Sequence, residues 1–255
     1  MDVKLLFDLV GEKAIVTGGG SGLGEQMAFA LSEAGADVAV ADINLEKANR
    51  VTQQIKELDR EAISLKVDVA QTNEVKRMIE VVKDKFKRID IIVNNAGIAH
   101  NLPAEKISKE DWDKVIAINL TGVFLCAQAV GKEMISQKKG SIINISSMSA
   151  FVVNRPQPQV HYNTAKAGVI MITKSLAAEW AKYNIRVNAI APGYMRTPMT
   201  EPVLDKYRDE WVSLTPMGRI GEPYELKGAV VFLASKASSF ITGSVILVDG
   251  GYTIW

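Results

Sequence analysis

Lys13-Ala14-Ile15-Val16-Thr17-Gly18-Gly19-Gly20-Ser21-Gly22-Leu23-Gly24 is a short apolar run that breaks off in a glycine-rich turn. From Glu25 to Ala34 apolar and small residues return at helical spacing, so the segment reads as strand, turn and helix. A turn of this kind lets backbone amides approach a pyrophosphate, where any Cβ would block the approach, and the helix N-terminus adds favourable dipole charge. The spacing is Gly18-x-x-x-Gly22-x-Gly24, and no register gives the strict Gly-x-Gly-x-x-Gly fingerprint. Its position after the first strand of an α/β chain nevertheless supports a nucleotide-binding turn.

Working outward, the same plan repeats. Strand Asp37–Ala41 precedes helix Leu45–Leu58, strand Ala62–Val67 precedes helix Asn73–Phe86, and strand Ile89–Val93 follows. Beyond an extended segment, Gly97–Ile107, the pattern Ser108-x-x-Asp111 caps a long helix reaching about Met134. Ser141–Ile145, Ile185–Ile190 and Val245–Val248 complete seven strands, and Ala165–Ala181 lies within a helix. Alternation of this kind predicts one α/β domain over residues 1–255, of the Rossmann type: a doubly wound, seven-stranded parallel sheet with helices on both faces. The irregular stretch is residues 192–223, which holds five prolines and is expected to form a flap over a site.

Composition narrows the function. Of 255 residues, 47% are hydrophobic and 23% charged, enough for a sizeable core. A formal charge of +1 leaves no electrostatic footprint for nucleic acid, and no basic run suggests a membrane surface. The start has no leader-like pattern and no 18-residue apolar stretch is expected to follow, so the reading is a cytoplasmic small-molecule protein. The single cysteine, Cys126, sits among Phe124, Leu125 and Ala127 and reads as a buried core thiol. Two histidines, His100 and His161, with no clustered ligand spacing, argue against a metal.

Two further features carry chemistry. Tyr162 and Lys166 lie four apart, on one face of a helix. An ammonium within about 4 to 6 Å favours the phenolate and lowers the phenol pKa, making the tyrosine a general acid or base near neutral pH. Asp42 closes the second strand, where a carboxylate accepts hydrogen bonds from an adenosine ribose, with an N-cap for the helix near Leu45 as its other role. A 2′-phosphate about 4 Å from it would cost roughly 4 kcal/mol per charge pair at an effective dielectric of 20. Neither the glycine loop nor the two residues after Asp42 supplies a compensating base, so NAD is expected over NADP.

The ordered set Thr17-Gly18-x-x-x-Gly22-x-Gly24, Asp68-Val69, Asn94-Asn95-Ala96-Gly97, Asn119, Ser147, Tyr162-x-x-x-Lys166 and Pro192-Gly193 followed by Thr197 resembles the short-chain dehydrogenase/reductase family, from about Gly11 to the C-terminus. The resemblance implies a catalytic group of Asn119, Ser147, Tyr162 and Lys166. Tyr162 would exchange a proton with the substrate oxygen, and Ser147 would stabilise the charge developing there. Lys166 would hold the nicotinamide ribose, and Asn119 a water beside the lysine. It implies cofactor contacts from Gly18, Ser21, Gly22, Leu23, Gly24, Asp42, Ile43, Asp68, Val69, Asn95, Ala96, Gly97, Pro192, Gly193, Met195 and Thr197. Within these, Asp68 would bond the adenine amino group, Asn95 would lie along the adenosine ribose, and Thr197 would fix the carboxamide.

In this family the active serine most often precedes the tyrosine by about 13 residues, which would select Ser149. Gly140–Ser147 aligns instead as a strand ending at the active serine, which selects Ser147 and places the two extra residues in Asn154-Arg155-Pro156-Gln157-Pro158. Ser146 would then point to the other side of the strand. The polar loop of Ser149, Asn154, Gln157, Gln159 and His161 suits a hydroxyl-rich substrate, with Ser149, Asn154 and Gln159 as expected contacts. This loop and the ending Asp249–Trp255 are similar to the polyol dehydrogenases of the family, which act on galactitol, sorbitol or mannitol. A polyol/ketose oxidoreductase is therefore expected, with a 3-oxoacyl thioester reductase using NADPH as the alternative and a non-catalytic nucleotide sensor as a third reading. The family further implies a homotetramer, in which small residues Ala165, Ala167 and Gly168 permit close helix packing and the apolar end Tyr252–Trp255 packs on another subunit.

Overall fold

The computed structural model describes residues 2–255; Met1, which opens the expected domain, lies outside them. After a single-turn helix, α1 (Val3–Leu6), the chain forms β1 (Lys13–Thr17), α2 (Gly22–Glu33), β2 (Asp37–Asp42), α3 (Leu45–Lys56), β3 (Ala62–Lys66), α4 (Thr72–Phe86) and β4 (Ile91–Asn94). The second half adds α5 (Lys109–Ile116), α6 (Gly122–Gln137), β5 (Gly140–Ile145), α7 (Val160–Trp180), β6 (Ile185–Pro192), α8 (Glu201–Leu214), α9 (Lys227–Ala234) and β7 (Val245–Val248). All seven strands pair in parallel in the order β3-β2-β1-β4-β5-β6-β7.

Because β1 continues to β2 on one side and β4 lies on its other side, the order reverses between β1 and β4. The register there sets Val16 beside both Val40 and Val93, so the C-terminal ends of the strands open side by side. A crevice at such a reversal is where open α/β sheets bind ligands. Both faces are covered. Met27, Leu31, Val51, Ile55, Val230 and Leu233 of α2, α3 and α9 form one core layer. Val75, Val82, Cys126, Met134 and Leu176 of α4, α6 and α7 form the other. This is the doubly wound sheet expected from the alternating pattern.

Several local expectations are corrected. The first long helix begins at Gly22 rather than Glu25, so Gly22 and Gly24 lie inside its first turn. Asn44, not Asp42, caps α3: its side chain accepts from Lys47 N–H at 3.0 Å. Ser108 caps α5 as expected, but the helix passes through a π turn, Ala117–Thr121, before continuing to Gln137. That continuous stretch, Lys109–Gln137, does contain a window apolar and long enough to cross a membrane, against the sequence reading. Here it is a core helix, with Val123, Cys126, Val130 and Met134 buried. The 192–223 stretch is not irregular throughout, since it contains α8, whose first turn takes Pro202 where a missing N–H costs nothing. Leu204 and Trp211 of α8 bury against Ile220 and Tyr194 in a small core of their own.

Candidate active site

The glycine turn is held by the end of β4. Gly18 has φ +61°, and a Cβ there would lie 2.8 Å from Ala96 Cα. At Gly24 a Cβ would lie 2.1 Å from the Gly18 carbonyl oxygen and 2.5 Å from Asn95 Nδ2. Such contacts leave no room for a side chain. Asn95 Nδ2 donates to the carbonyls of Thr17 and Gly18 at 3.1 and 3.0 Å, while Thr17 Oγ1 accepts from the N–H groups of Asn95 and Ala96. Thr17, given no role in the sequence reading, is therefore the peg that joins the turn to β4.

Above the strand ends lies a cleft of about 350 Å³. Every expected cofactor residue lines it except Gly24, which is used up by the helix-to-turn contact described above. Asp42 Oδ2 accepts from Gly20 N–H and its Oδ1 from Asn44 N–H, both at 2.9 Å, so the carboxylate faces the turn with its position fixed. Asp68 Oδ1 accepts from Ala70 N–H at 2.9 Å at the other wall. Gly193 N–H bonds the Val248 carbonyl at 2.9 Å, and Thr197 is tied to Thr200. One contact was not legible in the sequence: Arg50 of α3 reaches back to the Gly20 carbonyl at 3.1 Å. Its charge is compensated by Glu25 at 2.7 Å.

Ser147, Tyr162 and Lys166 line the same cleft. β5 delivers the serine at its end, and α7 begins at Val160, so Tyr162 stands in its first turn and Lys166 one turn later. Ser146 turns the other way, its hydroxyl donating to the Lys166 carbonyl at 2.8 Å. Lys166 Nζ donates to the Ile145 carbonyl at 2.8 Å, and burial lowers its pKa from 10.5 to about 8. Its ammonium lies 5.7 Å from the Tyr162 ring centroid. Contrary to expectation, the Tyr162 phenol is not depressed by that ammonium. Burial pushes it above its ordinary value, and the Ser147 hydroxyl only partly opposes this.

Four expected site residues are not brought to the cleft. Asn119, fully buried in the π turn, uses both ends of its amide on one residue: Ile98 N–H donates to Oδ1 at 2.9 Å and Nδ2 donates to the Ile98 carbonyl at 2.7 Å. It fixes Gly97, where a Cβ would sit 3.3 Å from Asn119 Oδ1 and 3.7 Å from Lys166 Nζ. Asn154 and Gln159 are buried, as is Ser149, and all three bond to one another or to neighbouring side chains instead of lining the cleft. The loop is thus no polar surface. His161 is likewise buried, with no partner on either ring nitrogen among the described residues. Tyr194, Gln157 and Trp211, which complete this buried group, join positions too far apart in sequence to be read together.

Other residues lie outside the cleft. Burial pushes the Cys126 thiol up to about 12, consistent with a core role. Among the described residues no cluster of three metal-ligating side chains occurs. Gly168 packs on Leu120 of its own chain, and Tyr252 is buried edge-on to Tyr194. Ile254 and Trp255 remain exposed.

Comparison with known proteins agrees with this geometry. Residues 18–253 match the family described as enoyl-(acyl carrier protein) reductase. Galactitol 2-dehydrogenase of Rhizobium johnstonii is 43% identical over 262 residues, covering 100% of both chains. A 3-oxoacyl-(acyl-carrier-protein) reductase of Thermotoga maritima is 41% identical, covering 96% of this chain and 99% of its own. A crystal structure described as a short-chain type dehydrogenase/reductase from Mycobacterium marinum superposes with a TM-score of 0.97 at 42% identity, covering 99% of each chain.

Proposed function

The chain belongs to the short-chain dehydrogenase/reductase family, and from that premise we propose that it oxidises a secondary alcohol of a polyol to the ketose, and the reverse, with NAD. The observation that carries this reading is the meeting of Ser147, Tyr162 and Lys166 with the glycine turn in one cleft. The cradle fits a dinucleotide: Cβ-free backbone at Gly18 and Gly20, a helix N-terminus behind it, and the Asp42 carboxylate beside Gly20. A nicotinamide held in this cradle would supply the hydride acceptor for the alcohol carbon and the hydride donor for the ketone.

The chain's own residues handle the proton. In oxidation Tyr162 takes the proton of the substrate hydroxyl, and in reduction it gives that proton back. Ser147 donates a hydrogen bond to the substrate oxygen as charge shifts on it. Lys166, protonated below about pH 8, supplies the nearby positive charge that the buried phenol needs to ionise. Asn119 holds the Gly97–Ile98 backbone against the lysine rather than touching substrate.

NAD is favoured because a 2′-phosphate beside Asp42 meets a fixed carboxylate, and Arg50, the nearby base, is already paired with Glu25. The polyol assignment rests on the galactitol dehydrogenase relative. The 3-oxoacyl relative supports the alternative, a thioester reductase. We propose further a cytoplasmic homotetramer, using the exposed apolar side chains Phe124 and Met171 of α6 and α7 and, elsewhere, Phe240 and Trp255. Sedimentation tests the assembly; a monomer would contradict it. The activity is tested by NADH formation at 340 nm across C4 to C6 polyols, with Tyr162→Phe as control. Turnover of at least one polyol, lost in the variant, is expected; none across the panel would overturn the reading.

A further inference from the structure

Ser146 handles neither hydride nor proton in the proposed reaction, yet it is 2% exposed and lines the cleft beside Lys166. Its hydroxyl donates to the Lys166 carbonyl at 2.8 Å, and its N–H donates to the Ile190 carbonyl of β6 at 2.8 Å. One residue earlier, the Ile145 carbonyl accepts from Lys166 Nζ at 2.8 Å. Consecutive residues at the end of β5 therefore hold one lysine at two places, its main chain and its ammonium.

The two grips have different origins in the strand. Side chains alternate between the faces of a sheet, so Asn144 and Ser146 share the face that α7 covers. Asn144 Nδ2 donates to Thr173 Oγ1 at 2.9 Å, about two helical turns beyond Lys166. The Ile145 carbonyl belongs to the same trans peptide as the Ser146 N–H, so with the N–H aimed at β6 the carbonyl is aimed at β4. The β4–β5 register ends at Asn94 with Asn144, which leaves that carbonyl beyond the last pair and open to the lysine. The fold keeps α7 in place without the Ser146 hydroxyl: the Lys166 carbonyl lies inside the helix, where the residue four further on supplies a backbone donor, and Asn144 still docks Thr173. What the hydroxyl fixes is the end of α7 that carries Lys166. An ammonium has three donors, of which the Ile145 carbonyl takes one. Where the other two point depends on how the lysine main chain sits over β5.

We propose that Ser146 is a positioning residue for Lys166, holding the lysine main chain on β5 so that the ammonium protons not taken by Ile145 are presented to the nicotinamide ribose. The proposal rests on the dinucleotide reading of the cleft, which gives the lysine that ligand. Its effect on dinucleotide binding therefore passes through the ammonium and disappears with it.

The test reads the NADH dissociation constant by fluorescence titration for Ser146→Ala in the native and the Lys166→Met backgrounds. We expect Ser146→Ala to weaken NADH about fivefold in the native background and less than about twofold where the ammonium is already gone. An equal loss in the two backgrounds, or no loss in either, overturns the proposal. Thr173→Ala separates positioning from simple docking of the helix. It removes the other contact between β5 and α7, so it should lower the guanidinium midpoint and leave NADH affinity within about twofold of native. A weakening as large as that of Ser146→Ala would reduce Ser146 to a docking contact and overturn the proposal. Should Ser146→Ala fail to fold, Ser146→Cys fills the space with a weak donor and repeats the cycle. NADPH carries the same nicotinamide ribose and serves as the probe if it binds more tightly. A cycle that runs as expected in a chain that turns over no polyol sinks the functional proposal alone. Equal losses in a chain that does turn one over sink this proposal alone.

Discussion

Replacing Lys166 with methionine should make the unliganded protein more stable at neutral pH while removing its activity. The lysine is 4% exposed, and among the described residues its ammonium donates only to the Ile145 carbonyl, at 2.8 Å. Burial lowers its pKa from 10.5 to about 8. At about 1.4 kcal/mol per pH unit, holding the ammonium charged at pH 7 costs the folded state roughly 3 kcal/mol. Methionine fills a similar volume without the charge, but leaves the Ile145 carbonyl unpaired, which returns about 1 kcal/mol. The net gain at pH 7 is roughly 2 kcal/mol.

The pH dependence has a definite sign. Between about pH 8 and 10.5 the folded lysine has lost its proton while the unfolded one keeps it, so the native protein gains stability as pH rises through that window. The advantage of Lys166→Met is therefore full below pH 8 and gone by about pH 10. Guanidinium unfolding of both proteins at equal concentration, at pH 7 and pH 10, measures it. A variant less stable than the native protein at pH 7, or an advantage that does not shrink by pH 10, would refute the reasoning. The outcome expected is a catalytic group kept at the expense of stability.

Other predictions bear on the remaining groups. Ser147→Ala should lower kcat by about a hundredfold or more, and Ser149→Ala by about tenfold; the opposite ranking would move the active serine to position 149. Because burial raises the Tyr162 phenol, polyol oxidation, which needs the phenolate, should climb as pH rises from about 6 to 8, the range in which Lys166 still carries its charge, whereas ketone reduction, which uses the protonated phenol, should not. A pH profile of kcat/KM in both directions checks this, and a flat oxidation profile would count against Tyr162 as the base. Gly24→Ala places a methyl group 2.1 Å from the Gly18 carbonyl oxygen. It should cost about 3 kcal/mol in unfolding and weaken NAD binding measured by fluorescence titration; an unchanged dissociation constant would separate this glycine from the cradle.

The sheet and the cradle were legible because their signals are local. Strand alternation, Gly18 at φ +61° and the close packing at Gly24 each depend on a dozen neighbouring residues. The placement of Ser147 at a strand end was legible for the same reason, since β5 runs unbroken from Gly140 to Ile145 and stops just before Ser146 and Ser147. What escaped was tertiary. Gln157 meets Tyr194 and Trp211 across 37 and 54 residues, so the loop that reads as a substrate surface is instead sealed against α8. Helix α8 was hidden by prolines at 198, 202, 216 and 223, although Leu204 and Trp211 mark its buried side. The Tyr162 phenol was misjudged because the charge of Lys166 is visible in sequence, while the burial that outweighs it is not. The π turn that lets Asn119 grip Ile98 leaves no pattern in an apolar helix.

The central claim is hydride exchange between NAD and a polyol, and one comparison tests it most directly: kcat/KM for galactitol and related polyols with NAD, set against kcat/KM for a 3-oxoacyl thioester with NADPH, on the same preparation. The account predicts polyol turnover with NAD exceeding its NADP-dependent rate by at least about tenfold, and little or no thioester reduction. Efficient NADPH-dependent reduction of the thioester, with polyols left untouched, would contradict it.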